Sequence, residues 1–76
     1  MSTGVHPYRL AVVHHDNAET VARYLPSNYE VLHPAWSEGG ILIGGMDVAG
    51  WTLDDYVIPR LASGLIRCEE RGHPHE

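Results

Sequence analysis

The sequence predicts a small α+β domain with the element order β-α-β-β-α-β. Three observations lead to that class. Four short stretches carry the alternating or continuous apolar residues of strands, one stretch carries apolar residues at helical spacing, and a capping pattern announces a second helix. With 76 residues, all of these elements must share one core.

The first strand is "YRLAVVHH", residues 8–15, rich in β-branched and apolar residues. Alternation puts Tyr8, Leu10, Val12 and His14 on one face, and Arg9, Ala11, Val13 and His15 on the other. In "DNAETVARYLP" the period changes: Ala18, Val21, Ala22 and Leu25 recur at i, i+3, i+4 and i+7, the stripe of an amphipathic helix. Asp16 is the expected N-cap, with Glu19 completing a capping box, and Pro26 closes the helix. "YEVLH" alternates as a second strand, and "PAWSEGG" is a loop with a turn at Gly39-Gly40. "ILIG" is apolar on both faces, as a central strand is when neither side meets water.

A glycine-rich loop follows, through Gly44, Gly45, Met46, Asp47, Val48, Ala49, Gly50 and Trp51. Thr52 with Asp55 three residues on forms a capping box for the second helix. Pro59 leaves two starts open, Leu53 or Asp55, because a proline deep in a helix removes a ladder bond and kinks the axis. Gly64 is expected to end this helix as its left-handed C′ residue. "LIRCEE" is the last strand, with Ile66 and Cys68 inward, and Arg67 and Glu69 outward. The most economical packing is a ferredoxin-like or degenerate split β-α-β arrangement, a single-layer sheet with both helices on one face. One domain is expected over residues 7–70, with residues 1–6 and 71–76 disordered.

Composition narrows the function. The net charge is −5 and no lysine is present, while the five arginines are scattered, so no cationic cluster exists to neutralise several phosphates. Nucleic acid is therefore not an expected partner. The exclusive use of arginine fits a GC-rich genome. No apolar run reaches the ~18 to 20 residues that span a bilayer, and the start lacks the pattern of a secretory signal. A single cysteine, Cys68, excludes an intrachain disulfide and any zinc site of several thiolates, which suits a cytoplasmic setting.

The candidate site is placed by topology. The first and third strands are expected to be parallel neighbours, which would bring "HHD" (14–16) and "GGMD" (44–47) to one edge beside both helix N-termini. Three readings of that edge compete. In the first, the glycines only permit a tight strand-to-helix turn, with Trp51 as a core anchor behind the cap. His14 or His15 with Asp16 and Asp47 offers imidazole and carboxylate ligands to a metal ion, although adjacent strand residues point to opposite faces. Gly44, Gly45 and Asp47 would line a pocket for a small anion or polar ligand held by backbone amides. No P-loop, dinucleotide fingerprint or nucleophile-and-base constellation is present, so neither a cofactor nor catalysis is expected.

"GGMDVAGWTLDDYVIPRLASGL" together with "YLPSNYEV" resembles small, acidic, uncharacterised proteins of actinobacteria and their phages that carry a "GWTLD-YVIPRLASGL" block. The resemblance extends over about residues 7–68. It implies an actinobacterial origin and a phage or prophage setting, and assigns no residue a role. The expected function is that of a non-catalytic, self-associating interaction module, most simply a homodimer, that acts on a host protein. The alternative is a metal- or anion-binding protein using the His14/Asp16/Asp47 edge. Two helices cover only one sheet face, so the dimer is expected to form through the other, with Ala11, Val13, Ile41, Leu42 and Ile43.

Overall fold

The computed structural model describes residues 8–36 and 40–72. The strands are β1 (Tyr8–His14), β2 (Tyr29–Trp36), β3 (Gly40–Met46) and β4 (Arg67–Gly72). They form one antiparallel sheet in the order β2-β3-β1-β4. Helix α1 (Ala18–Tyr24) links β1 to β2, and a π-helical turn (Leu53–Val57) running into α2 (Ile58–Ser63) links β3 to β4. The expected α+β class and element order hold. β4 continues through Arg71 and Gly72, past the domain end expected at residue 70. Residues 1–7, 37–39 and 73–76 lie outside the described residues, and with them the expected N-terminal segment, the Gly39 half of the turn and the rest of the tail.

β1 and β3 are central neighbours, but they are antiparallel rather than parallel: Tyr8 pairs with Met46 and Val13 with Ile41. Connectivity dictates this. α1 returns the chain along the sheet so that β2 runs with β1, and the β2–β3 hairpin then reverses the direction once. The carboxyl ends of β1 and β3 therefore open at opposite ends of the sheet, roughly 20 Å apart along a seven-residue strand. We call these the histidine end, after His14, and the Asp47 end.

The core lies between the helices and one sheet face. Ala11, Val13, Ile41 and Ile43 from the strands meet Val21 of α1, Leu53 and Val57 of the π turn, and Leu61 of α2. All eight are fully buried. Alternation puts Leu10, Val12 and Leu42 on the opposite face.

Local chemistry departs from expectation at two helix ends. Asn17, not Asp16, caps α1, its side chain accepting from the Thr20 amide at 3.1 Å. The stripe of that helix is Ala18, Val21, Tyr24 and Leu25, while Ala22 is exposed. Thr52 caps the second helix as expected, accepting from Asp55 N at 3.1 Å. The question of where that helix starts is resolved by the wide turn: both Tyr56 N and Val57 N donate to the Thr52 carbonyl (2.9 and 3.0 Å), and α-helical geometry begins at Ile58. Pro59 thus enters at the first turn of α2, where its missing N–H costs little.

The other departure is at the end of α2. Gly64 has φ −100°, and the left-handed residue is Leu65, with φ 63°. Ile66 N donates to the Leu61 carbonyl (3.0 Å) and Leu65 N to that of Ala62 (2.8 Å), the paired bonds of a Schellman cap. Glycine at position 64 makes room for a neighbour: a Cβ there would force the Tyr24 phenol to move.

Candidate functional site

Gly44 and Gly45 belong to β3 and are buried, with partners on both neighbouring strands, so they do not form an open anion-binding loop. Their purpose is close approach. A Cβ at Gly44 would fall within 3.0 Å of Leu32, Tyr8 and Leu10, whose side chains close over it on the face away from the helices. A Cβ at Gly45 would strike the Asn28 carbonyl and come within 2.8 Å of Tyr29 on the helix face. A glycine pair in one strand thus lets both faces pack inward. Gly44 and Gly45 help to line a shallow surface groove, but Asp47 does not join them there, because its carboxylate is bonded to Tyr29, Leu53 and Arg9.

Asp47, just beyond β3, is the centre of a polar cluster. Its Oδ1 accepts from the Tyr29 hydroxyl (2.6 Å) and the Leu53 amide (2.9 Å), and its Oδ2 from Arg9 Nη1 (2.8 Å). Arg9, on the helix face of β1 opposite Gly45, also meets Asp54 (3.2 Å) and Glu70 (2.7 Å). One guanidinium therefore ties β1, the β3 exit, the π turn and β4 together. Partial burial would raise the Asp47 carboxyl, but the hydrogen bonds from Tyr29, Arg9 and Leu53 outweigh it and hold the group below the usual carboxylate range. Burial first, then the bond to Asp47, pushes the Tyr29 phenol well above its ordinary value. The bond to Glu70 is the largest of the effects that raise Arg9 further.

The expected metal set does not assemble. His14, His15 and Asp16 lie at one end of the sheet and Asp47 at the other, because β1 and β3 are antiparallel. His14 approaches Glu69 (3.7 Å), and His15 Nδ1 accepts from the Asn17 amide (3.0 Å). Among the described residues no group of three or more His, Cys, Asp or Glu side chains is arranged to hold a metal ion.

The expected interface also moves. Ala11, Val13, Ile41 and Ile43 face the helices and are sealed in the core, since continuous apolarity in a central strand says nothing about which face the helices cover. Of the five residues only Leu42 lies on the opposite face, and it is 6% exposed. The exposed large apolar side chains are elsewhere. Tyr8, paired with Met46, and Val48, bridged to Trp51, are each 40–45% exposed, as are their partners, and all four stand at the Asp47 end.

Asn28 holds this group together. Its Nδ2 donates to the carbonyls of Met46 (2.7 Å) and Trp51 (3.0 Å), which leaves its buried Oδ1 without a hydrogen bond. Trp51 is not the core anchor expected. A turn closed by Trp51 N on the Val48 carbonyl (2.7 Å), with Gly50 at φ +86°, swings the indole outward, and Leu53 fills the core instead. The staple itself forms: the Trp51 ring lies 6.3 Å from that of Tyr56, five residues on.

Comparison of the chain with protein-family models, with curated proteins and with solved structures finds no match.

Sequence reasoning singled out Asp47 but missed Arg9, Tyr29 and Asn28, its partners in structure. Their signal was weak: Arg9 is a lone cation on an otherwise apolar strand face. Among the described residues no helix is long and apolar enough to cross a membrane.

Proposed function

We propose that this chain is a non-catalytic, self-associating protein-interaction module that docks through the Asp47 end rather than through the open sheet face. The observation that carries this reading is the grouping of Tyr8, Met46, Val48 and Trp51, four large apolar side chains left half exposed at one end of a domain whose other apolar residues are mostly covered. Large apolar side chains left exposed together at one end of a domain mark an interface more often than a free surface. Tryptophan, tyrosine and methionine are also among the side chains enriched at such contacts. The neighbouring polar groups support the same reading. Asp47 and Arg9 are committed to one another and to the strands and turn around them, so they act as a rigid frame behind the patch. A host protein could occupy the same surface, and the test separates the two occupants.

The test is light scattering of the wild type and Met46→Glu across a hundredfold dilution. The wild type should associate at high concentration and dissociate on dilution, while Met46→Glu should stay a monomer of 8.4 kDa. A wild-type monomer at every concentration, or a Met46→Glu protein that associates as the wild type does, would overturn the proposal.

A further inference from the structure

The fifth exposed large apolar residue lies elsewhere and is stranger than the other four. Leu65 is 96% exposed, and it is the described non-glycine residue with positive φ. A left-handed leucine is disfavoured by its own Cβ, and glycine would serve the Schellman cap better. The side chain also gains nothing from the core, where the neighbouring Ile66 already supplies the apolar contact to Leu61. Neither the backbone nor the packing of this chain accounts for a leucine at this position.

Its place in the fold is informative. Arg67 pairs with His14, so the α2–β4 connection that carries Leu65 stands at the histidine end. The Tyr8–Met46 pair stands at the other. The molecule thus carries an apolar knob at one end of its sheet and an apolar patch at the other. Beside that patch is a shallow groove whose lining includes Tyr8, Asn28, Glu30 and Met46.

We propose that Leu65 of one copy docks in the Tyr8–Met46 groove of the next, so that the chain assembles head to tail. The inference rests on the self-association proposed above and names the surface that meets the patch. Charge favours this arrangement over a two-fold contact of patch with patch. Glu30 lines the groove, and Asp54 and Asp55 lie three and four residues past Trp51, all three exposed. A two-fold contact would set these carboxylates against their own copies. A head-to-tail contact instead sets them against Arg67, two residues from Leu65, 75% exposed and paired with Glu69 at 2.7 Å, a locally neutral pair in place of a second set of carboxylates. Such a contact joins two different surfaces, so each added copy still presents a free knob and a free groove.

Three variants test this by light scattering and thermal melting on the full chain. Leu65→Gly should melt higher than the wild type when dilute, because it relieves the left-handed leucine, yet lose at least tenfold in association. Leu65→Met should retain association. Met46→Glu blocks the groove but leaves the knob, so a mixture of Leu65→Gly with Met46→Glu should form a one-to-one complex although neither associates alone. Leu65→Gly associating like the wild type while Met46→Glu does not would overturn the head-to-tail contact and leave the docking end intact. A mixture that stays monomeric would also overturn it. A wild type that is monomeric throughout would remove both proposals together.

Discussion

Leu65 and Asp47 show how single residues set the energy of this fold. Replacing Leu65 with glycine frees a left-handed position from its Cβ clash, and the cap hydrogen bonds remain available. The variant should be more stable by about 1 kcal/mol in dilute solution, read from urea melts. Little change, or a loss, would show that the leucine supports the monomer. Asp47 acts in the opposite direction, because its carboxylate is the shared acceptor of Tyr29, Arg9 and the Leu53 amide. Asp47→Asn places an amide against the Arg9 guanidinium and should cost about 2 to 3 kcal/mol at pH 7. The folded carboxyl titrates below a free aspartate, whose pKa is about 3.9. The stabilisation from Asp47 is therefore fully present above that value and is lost as pH falls through the lowered folded one. The gap between wild type and Asp47→Asn should narrow on acidification below about pH 4. A gap that stays constant to pH 2 would assign the loss to shape alone.

Within the second helix, the energetic weight falls on Leu53, with Trp51 secondary. Leu53 is fully buried among the sheet residues, whereas Trp51 keeps 45% of its surface in water and touches the helix through the Tyr56 ring. Leu53→Ala should cost about 3 kcal/mol or more by leaving a cavity, and Trp51→Ala about 1 kcal/mol through loss of the staple. Thermal melts of the two variants check the order, and a Trp51→Ala protein that unfolds first would reverse it. Edge strand β4 permits a second measurement. Burial, and to a smaller degree Glu69, pushes the Cys68 thiol up to about 12. Reaction with a thiol reagent at pH 8 should be slower than that of a free cysteine by roughly a hundredfold or more, and unfolding should restore it. Labelling at the free rate would mean that β4 opens readily.

For the whole molecule, size and association are linked. A 76-residue chain buries a limited core, so any contact made only by the folded state raises its apparent stability by mass action. The melting temperature of the wild type should therefore rise with protein concentration, while that of Met46→Glu should not. Parallel rises in both would place the stabilising contact away from the Asp47 end. Charge works in the same frame. Arg9 neutralises carboxylates contributed by three different segments, which lets an acidic chain close its sheet at that end.

Local physics was legible in the sequence. Periodicity gave the four strands and the first helix, Thr52 with Asp55 gave the second helix and its cap, and the alternation of "LIRCEE" gave the inward Ile66 and the half-buried Cys68. Each depends on residues within a few positions of one another, where spacing and side-chain chemistry act directly. Four other features came only with the tertiary structure: the antiparallel direction of β1 and β3, the face the helices cover, the packing role of Gly44-Gly45, and the partners of Asp47. These join residues far apart in the chain, such as Arg9 with Asp47, Asp54 and Glu70 across 38, 45 and 61 positions. The candidate metal site failed for the same reason. Its four residues are suited to the chemistry one by one, but the number of chain reversals between two strands decides whether their ends meet, and here an odd number sends Asp47 to the end opposite His14.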